Sequence, residues 1–174
     1  MAQVVFLRGV NVGGHRRFRP ASLAAELRHL GATNIGAAGT FVIREPIGRA
    51  ELTAELSRRL PFETEIVICP GRDIVRLVSD DAFAGHRPGA GEVRFVSVLS
   101  RPCRSAPALP MRLPAAGRWL VKLVARDGRY VFGVYRRHMK VIGYLGRLDH
   151  LFGVPITTRN WTTMATVAKA IEGR

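Results

Sequence analysis

The strongest constraint on the fold of this 174-residue chain is that its apolar runs are short and separated by glycine and proline. The run from Gln3 to Arg8 is too short for a helix and predicts a buried strand. Leu23, Leu27 and Leu30 then recur at the spacing of one helix face, and Gly31 is expected to end that helix. The chain is therefore expected to begin with a strand followed by a helix.

The rest of the first half continues as a hairpin, a helix and a strand. Residues 35–44 predict two short strands folded about Gly39-Thr40. Arg49 to Leu60 predicts a helix ended by Pro61, and Thr64 to Cys69 predicts another strand. The resulting order, βαββαβ, is that of a ferredoxin-like unit.

A linker and a second half follow. A helical segment at Asp73–Val78 leads to residues 85–91, whose three glycines and one proline predict the linker. We therefore expect an N-terminal half at 1–84 and a C-terminal α+β half at 92–174. The expected fold is α+β, with two coupled ferredoxin-like halves and antiparallel sheets.

The second half is predicted to begin with a strand at Val93–Leu99. Residues 101–118 contain four prolines and four arginines, which predicts an extended, irregular excursion. Asp127-Gly128 lies between two apolar segments and is the strongest hairpin signal in the chain, with positive φ expected at both positions. A last helix is expected from Trp161 to about Ile171, with its apolar residues on one stripe.

Two motifs at opposite ends of the chain carry a resemblance to a known family. Leu7-Arg8-Gly9-Val10-Asn11-Val12-Gly13-Gly14 follows the first strand, and Thr157-Thr158-Arg159-Asn160-Trp161 opens the last amphipathic stretch. They closely resemble the LRG-I/V-NVGG start and the TTRNWNT end of a bacterial family, domain of unknown function 1697. The resemblance implies a fold of two α+β halves, each ferredoxin-like to some degree. Most relatives have a serine-glycine-asparagine turn where this chain has Ala38-Gly39-Thr40, which lowers the expectation of any activity carried over from the family.

The glycine-rich loop at residues 9–14 has two interpretations. Its G-x-x-x-G-G spacing matches neither the dinucleotide fingerprint nor the Walker pattern. Backbone N–H groups of such a loop can still converge on an anion. Cationic side chains follow at once: His15, Arg16, Arg17 and Arg19. The alternative is that the glycines adopt positive φ and the arginines project into water.

The two motifs are predicted to line one cleft, because domain junctions commonly host ligand pockets. The residues expected to bind an anion there are Arg8, Asn11, Gly13, Gly14, Arg159 and Asn160. In the alternative, each motif only shapes its own turn. Thr158 or Asn160 then caps the last helix, and Trp161 anchors it against the sheet. Arg159 is expected either to hold a carboxylate or phosphate, or to pair with an acid such as Asp149.

The charge is the clearest functional signal that does not depend on the resemblance. The net charge of +14 favours polyanionic partners. Between Arg94 and Leu148, ten arginines and two lysines accompany the single acid Asp127. The residues predicted to contact nucleic acid are Arg101, Arg104, Arg129, Arg136, Arg137 and Lys140. Alternation places Tyr130, Phe132 and Val134 on one face, which predicts a buried core rather than a base-stacking surface. The alternative is that the arginines are spread over a solvated surface.

The chemistry-bearing residues are too scattered to indicate a reaction. There is no HExxH, GxSxG or CxxC motif, and the five histidines show no ligand spacing, so neither metal nor cofactor is expected. Two isolated cysteines and the absence of a signal peptide or membrane-length apolar run predict a cytoplasmic protein. The leading function is a basic binding module for an anionic partner, either nucleic acid or a small anionic ligand. The alternative is an enzyme acting on a small phosphorylated or carboxylated metabolite in a cleft between the halves.

Overall fold

The computed structural model of the chain describes residues 1–11, 14 and 16–173. The chain divides into two compact units. Unit 1 comprises Met1–Asp80 together with Thr163–Arg174, and unit 2 comprises Asp81–Thr162. Helices accompany two antiparallel sheets, one of four strands and one of five, which confirms the predicted α+β class.

Unit 1 contains a four-stranded antiparallel sheet in the order β2-β3-β1-β4. Its elements are β1 (Gln3–Leu7), α1 (Pro20–Glu26), β2 (Thr33–Ile35), β3 (Thr40–Ile43), α2 (Arg49–Arg59), β4 (Ile66–Pro70) and α3 (Gly71–Ser79). The first six follow the βαββαβ order predicted from the sequence. A 3-10 turn at Arg28–Leu30 extends α1. Gly31 adopts a left-handed conformation with φ of 60° after this turn, as predicted for the residue that ends the helix.

The core of unit 1 forms because the helices present leucines to an apolar face of the sheet. Leu23, Leu27 and Leu30 are buried, as their helical spacing predicts. They belong to one cluster with α2 and strand residues, including Leu52, Leu56, Val5, Leu7, Phe41, Ile43 and Ile68. Burial of this apolar area is the main favourable contribution to folding of the unit.

The first hairpin differs from the prediction in its turn. Residues 36–39 connect β2 to β3, and Thr40 is already a strand residue that pairs with Ile35 and Phe6. Gly36 and Gly39 have positive φ of 71° and 76°, so the chain reverses across the segment between these two glycines. The turn therefore does not fold about Gly39-Thr40.

Unit 2 contains a five-stranded antiparallel sheet in the order β6-β7-β8-β5-β9. Its elements are β5 (Glu92–Leu99), β6 (Met111–Leu113), β7 (Val121–Asp127), β8 (Tyr130–Arg136), α4 (Val141–Gly146), α5 (Leu148–Phe152) and β9 (Ile156–Asn160). Helix α6 (Trp161–Glu172) begins in unit 2 and continues into unit 1. Both short helices lie between β8 and β9, so the ferredoxin-like description of this half stays a prediction.

The excursion at 101–118 is not irregular throughout. Met111–Leu113 forms β6 and pairs with β7 in the register Met111↔Leu123 and Leu113↔Val121. Met111 and Leu113 pack on the core of unit 2, whereas Arg112 between them is exposed. This apolar–polar–apolar alternation places a short strand within the proline-rich segment.

The second hairpin turns one residue later than predicted. Asp127 pairs with Tyr130, so the two-residue loop is Gly128-Arg129. Gly128 has φ of 57°, whereas Asp127 and Arg129 do not have positive φ. A glycine with positive φ at the first loop position is the requirement of a type II′ turn. Asp127 therefore remains in β7.

Both faces of the five-stranded sheet bury apolar side chains. Phe95, Leu99, Leu123 and Val131 form one core with α4 and α5. On the opposite face Tyr130, Phe132 and Val134 are buried, which confirms the interpretation of their alternation as a core pattern. The described helices include none with the length and apolar character needed to cross a bilayer.

Candidate anion-binding surfaces

The glycine-rich loop after β1 is tied by hydrogen bonds to the turn at residues 36–39. Asn11 Nδ2 donates to the Ala37 carbonyl at 2.9 Å, and Asn11 Oδ1 accepts from the Phe18 amide at 3.0 Å. The Leu7 amide donates to the Gly39 carbonyl at 2.8 Å. Asn11 has a positive φ of 55°, a conformation that asparagine adopts more readily than most residues. Both ends of its amide side chain therefore hold the loop in place.

Gly39 fills a position where only glycine fits. Its φ is 76°, and a Cβ added there would lie 2.7 Å from Val10 Cγ2 and 2.9 Å from Leu7 Cβ. The glycine of Ala38-Gly39-Thr40 is thus required by packing against the Leu7–Val10 segment. This is the turn in which the resemblance implies a serine and an asparagine in most relatives. It lies directly against the loop that carries the first motif.

The other residues of this loop that are predicted to bind an anion differ in their contacts and exposure. Arg8 is anchored through its backbone, since its amide donates to the Glu65 carbonyl at 3.1 Å and its carbonyl accepts from Thr64 Oγ1 at 2.5 Å. Gly14 is exposed, and a Cβ there would lie 3.1 Å from Arg17 Nη2. Gly13 lies outside the described residues. Exposed guanidinium groups follow the loop, from Arg16, Arg17 and Arg19.

The first four residues of the second motif end a strand, and its fifth, Trp161, begins the last helix as the sequence predicts. Ile156–Asn160 pairs with β5, and α6 begins only at Trp161. Thr158 Oγ1 lies 2.6 Å from Ser97 Oγ across the two strands, so its hydroxyl serves the sheet rather than a helix cap. Trp161 is buried and contacts Phe83 edge-to-face with a ring separation of 5.0 Å, which confirms its predicted anchoring role.

Arg159 is buried within this strand, with 7% of its surface exposed. Its Nη1 donates to Thr157 Oγ1 and to the Thr158 carbonyl, both at 2.9 Å. Burial lowers the pKa of Arg159 to about 10, because desolvation disfavours the charged guanidinium. Asp149, the acid considered as its partner, accepts a hydrogen bond from the Ile156 amide at 3.2 Å.

The prediction that both motifs line one cleft involves both units. The loop of the first motif belongs to unit 1, and Arg159 and Asn160 belong to unit 2. Asn160 Oδ1 accepts a hydrogen bond from Tyr135 Oη at 3.2 Å, within unit 2. The shared cleft stays a prediction.

The positive charge of the chain is concentrated in unit 2. This unit contains 14 lysine and arginine residues against 4 acidic residues, whereas unit 1 contains 13 against 9. Unit 2 therefore carries a net charge of +10 and unit 1 a net charge of +4, which together give the +14 of the whole chain. The positive electrostatic potential of the chain therefore comes mainly from unit 2.

The residues predicted to contact nucleic acid fall into two groups. The exposed group consists of Arg101, Arg104, Arg137 and Lys140. Arg129 instead donates from Nε to the Leu99 carbonyl at 2.9 Å and from Nη2 to the Ser100 carbonyl at 3.0 Å. Arg136 stacks its guanidinium 3.8 Å from the centre of the Trp119 ring and pairs with Glu92 at 3.5 Å. Arg129 and Arg136 thus make contacts inside unit 2.

Two of the exposed arginines line a groove of about 730 Å³ in unit 2. The groove is formed by residues 101–105 of the excursion and by residues 150–154 around the end of α5. Its polar lining includes Arg101, Arg104, Ser105 and His150. The sequence offered no signal for His150 or Ser105, because the two segments meet only through the tertiary fold. The described residues contain no group of three or more His, Cys, Asp or Glu side chains suited to hold a metal ion.

The fold and these surfaces define the class of the protein. It is an α+β protein of two units, the second unit is basic, and its polar candidate residues are scattered. The chain belongs to the family described as Protein of unknown function (DUF1697), whose model matches residues 1–118. The matched segment includes the first motif and ends before the second. The resemblance inferred from the sequence is confirmed at the level of the family.

A solved structure is also similar to this chain. It is described as that of conserved bacterial protein SP0830 from Streptococcus pneumoniae, with a TM-score of 0.58 and 16% sequence identity over 97% of each chain. At this identity the similarity concerns the fold alone. None of the curated proteins matches the chain.

Proposed function

We propose that this protein is a binding module for nucleic acid, and that the basic surface of unit 2 contacts the phosphate backbone. The observation that carries the proposal is the net charge of +10 on unit 2, where 14 basic residues accompany 4 acidic ones. Cations that neutralise backbone phosphates release condensed counterions, and this release supplies most of the affinity of non-specific nucleic-acid binding.

The cations suited to this role are those whose side chains reach the solvent. They include Arg101, Arg104, Arg112, Arg118, Arg137 and Lys140. Tyr130 and Phe132, which would be needed to stack bases on the sheet, are buried. The proposed contact is therefore with phosphates rather than bases, and we expect little dependence on base sequence.

Fluorescence anisotropy with a labelled DNA duplex and a single-stranded RNA, both with 5′-hydroxyl ends, tests this proposal. We expect the logarithm of the affinity to fall linearly with the logarithm of salt between about 50 and 200 mM, with a slope of roughly −0.9 per phosphate contacted on duplex DNA. A scrambled duplex of the same length should bind equally well. Absence of binding at the lower salt concentration would overturn the proposal.

A matched pair of double variants assigns the binding to unit 2. Arg137→Gln with Lys140→Gln should weaken binding of both nucleic acids and make the salt slope on duplex DNA shallower by about 2, since two phosphate contacts are lost. Arg28→Gln with Arg72→Gln removes the same charge from exposed positions of unit 1. This control should leave the slope unchanged. An equal loss in both double variants would show that net charge alone, and not the unit 2 surface, determines binding.

A further inference from the structure

We propose that the groove at Arg101, Arg104 and His150 is a binding site for a phosphate monoester. The ligand class is a group that carries a terminal dianionic phosphate, such as a free nucleotide or the 5′-phosphorylated end of a strand. The inference rests on the proposed function, because it adds to the nucleic-acid surface of unit 2 a specific site for one kind of phosphate.

The charges around the groove favour a dianion. Arg101 and Arg104 are exposed and line the same groove, so two basic residues border one volume. None of the described residues that line it is acidic. The acid nearest to it in the chain, Asp149, accepts a hydrogen bond from the Ile156 amide at 3.2 Å. His150 and Ser105 add further hydrogen-bonding groups.

Two guanidinium groups match a monoester better than a backbone phosphodiester. A phosphate monoester carries a charge of about −1.5 to −2 near pH 7 and presents three terminal oxygens. A backbone diester carries one charge and presents two free oxygens. Because each guanidinium can donate two parallel hydrogen bonds to a phosphate, the pair Arg101 and Arg104 can use the extra charge and the extra oxygen of the monoester.

The size and the walls of the groove suit an organic phosphate rather than a bare ion. Its volume of about 730 Å³ lies within the range of roughly 300–1,000 Å³ that is usual for small-molecule sites. Pro102 and the half-buried Leu151 add exposed apolar wall next to the cationic side chains, and the lining residues Phe152 and Val154 are buried. Phe152 and Val154 also belong to the core of unit 2, so this wall is fixed by packing. A ribose or base attached to the phosphate has an apolar surface to contact.

Other concave regions lack this combination. A cavity of about 340 Å³ near the start of β1 includes Arg49, whose guanidinium donates to the Ile68 carbonyl. A cavity of about 440 Å³ at α4 has a single arginine among its described lining residues, Arg147, whose guanidinium lies 5.5 Å from the centre of the Tyr144 ring, beside Lys140. A cavity of about 550 Å³ at the end of α2 is lined by Glu63. The groove at Arg101 and Arg104 is therefore the site we assign to the phosphate.

The test compares two short single-stranded oligonucleotides that differ only in a 5′-phosphate or a 5′-hydroxyl. Titration calorimetry should show about ten-fold tighter binding of the phosphorylated strand, because the extra charge accepts charge-assisted hydrogen bonds that the hydroxyl end cannot accept. AMP and adenosine form a second pair that has no strand, and inorganic phosphate is a third ligand. The wild-type protein alone decides this part, so it does not depend on the folding of any variant.

The variants then locate the effect. Arg101→Gln with Arg104→Gln should remove the preference for the 5′-phosphate, and His150→Gln should reduce it in part. The control Arg137→Gln with Lys140→Gln should weaken both strands equally and keep the preference, since these residues lie outside the groove. Melting curves confirm that the variants are folded.

The outcomes separate this inference from the proposed function. Equal binding of the phosphorylated and hydroxyl strands, with no preference for AMP over adenosine, overturns the groove site and leaves the nucleic-acid surface intact. Binding of AMP but of neither strand supports the groove for a free nucleotide and overturns the proposed function. A preference for the 5′-phosphate that survives in the Arg101→Gln/Arg104→Gln protein overturns the assignment to this groove.

Discussion

The loop of unit 1 and the basic surface of unit 2 use their polar side chains in opposite ways. In the loop, Asn11 makes two internal hydrogen bonds, and in the adjacent turn at residues 36–39 Gly39 is required by packing. In unit 2, Arg101, Arg104 and Arg137 extend into solvent from segments without a recognisable motif. The first motif therefore contains a polar side chain, that of Asn11, which is already engaged, whereas the exposed cations of unit 2 lie in segments with a weak sequence pattern.

The two units also differ in how their charges are arranged. In unit 1, Glu55 pairs with both Arg58 and Arg59 on α2, and Arg76 lies 3.9 Å from Asp80 on α3. Such pairs on exposed helix faces contribute little stability, but they lower the local potential. Unit 2 has 4 acidic residues for 14 basic ones, so its acids cannot balance its positive charge. The comparison therefore predicts stability effects for changes in the unit 1 loop and binding effects for changes on the unit 2 surface.

The largest effect is expected for Gly39→Ala in unit 1. The new Cβ would lie 2.7 Å from Val10 Cγ2 in a residue with φ of 76°, so the substitution combines a buried clash with backbone strain. We expect the free energy of unfolding to fall by roughly 3 kcal/mol. Urea unfolding followed by circular dichroism measures this loss.

Gly36→Ala is the matched control for this clash. Gly36 has φ of 71°, and nothing lies within 4 Å of its added Cβ, so only the backbone strain remains. We expect a loss of about 1 kcal/mol. If the two alanine variants were equally stable, Gly39 would not be required by packing, and the comparison between the units would lose its main argument.

A smaller effect is expected for Asn11→Ala. This change removes the hydrogen bonds to the Ala37 carbonyl and from the Phe18 amide and places alanine at φ of 55°. The expected loss is about 2 kcal/mol of unfolding free energy, measured by urea unfolding. Asn11→Gly relieves the backbone strain but loses the same hydrogen bonds, so it should recover about 1 kcal/mol of the loss.

Anion binding at the loop makes a different prediction for the same variants. A donor to a bound anion would leave stability in anion-free buffer unchanged, and added phosphate would stabilise only the wild-type protein. An Asn11→Ala protein as stable as wild type in anion-free buffer would therefore favour the anion-site interpretation of this loop over the internal role that we assign.

Local patterns predicted much of unit 1 because its elements are defined by near neighbours in the sequence. The spacing of Leu23, Leu27 and Leu30 and the glycine at position 31 were sufficient to place the first helix and its end. The last helix was placed correctly from Trp161, but the strand at Thr157–Asn160 was missed, because its polar residues have no strand alternation of their own. It becomes a strand only through pairing with β5, which is far away in the sequence.

The candidate surface was predictable in composition but not in detail. The ten arginines spread between Arg94 and Leu148 indicate a basic surface, whichever way the chain folds. Which arginines reach solvent depends on the contacts of each side chain. Arg136 and Arg137 are neighbours of the same type, yet Arg136 contacts Trp119 and Glu92 while Arg137 is exposed. The groove at Arg101 and Arg104 requires residues 150–154, which no local pattern connects to them.

The smallest stability effects are expected for substitutions of the two neighbouring arginines, Arg136 and Arg137, and the two effects should differ. Arg136→Gln loses the stacking on Trp119, the hydrogen bond from Nη1 to the Trp119 carbonyl at 3.1 Å and the ion pair with Glu92. Because the Arg136 side chain is only partly buried, we expect a loss of about 1 kcal/mol of unfolding free energy. Arg137→Gln should change stability by less than about 0.5 kcal/mol, as is usual for an exposed position.

Binding should follow the reverse order, with Arg137→Gln making the salt slope on duplex DNA shallower by about 1 and Arg136→Gln changing it less. Urea unfolding and salt-dependent anisotropy on the same two proteins measure both quantities. If Arg136→Gln weakened binding more than Arg137→Gln at equal stability, exposure would not select the binding residues, and the contrast between engaged and available side chains would fail within unit 2.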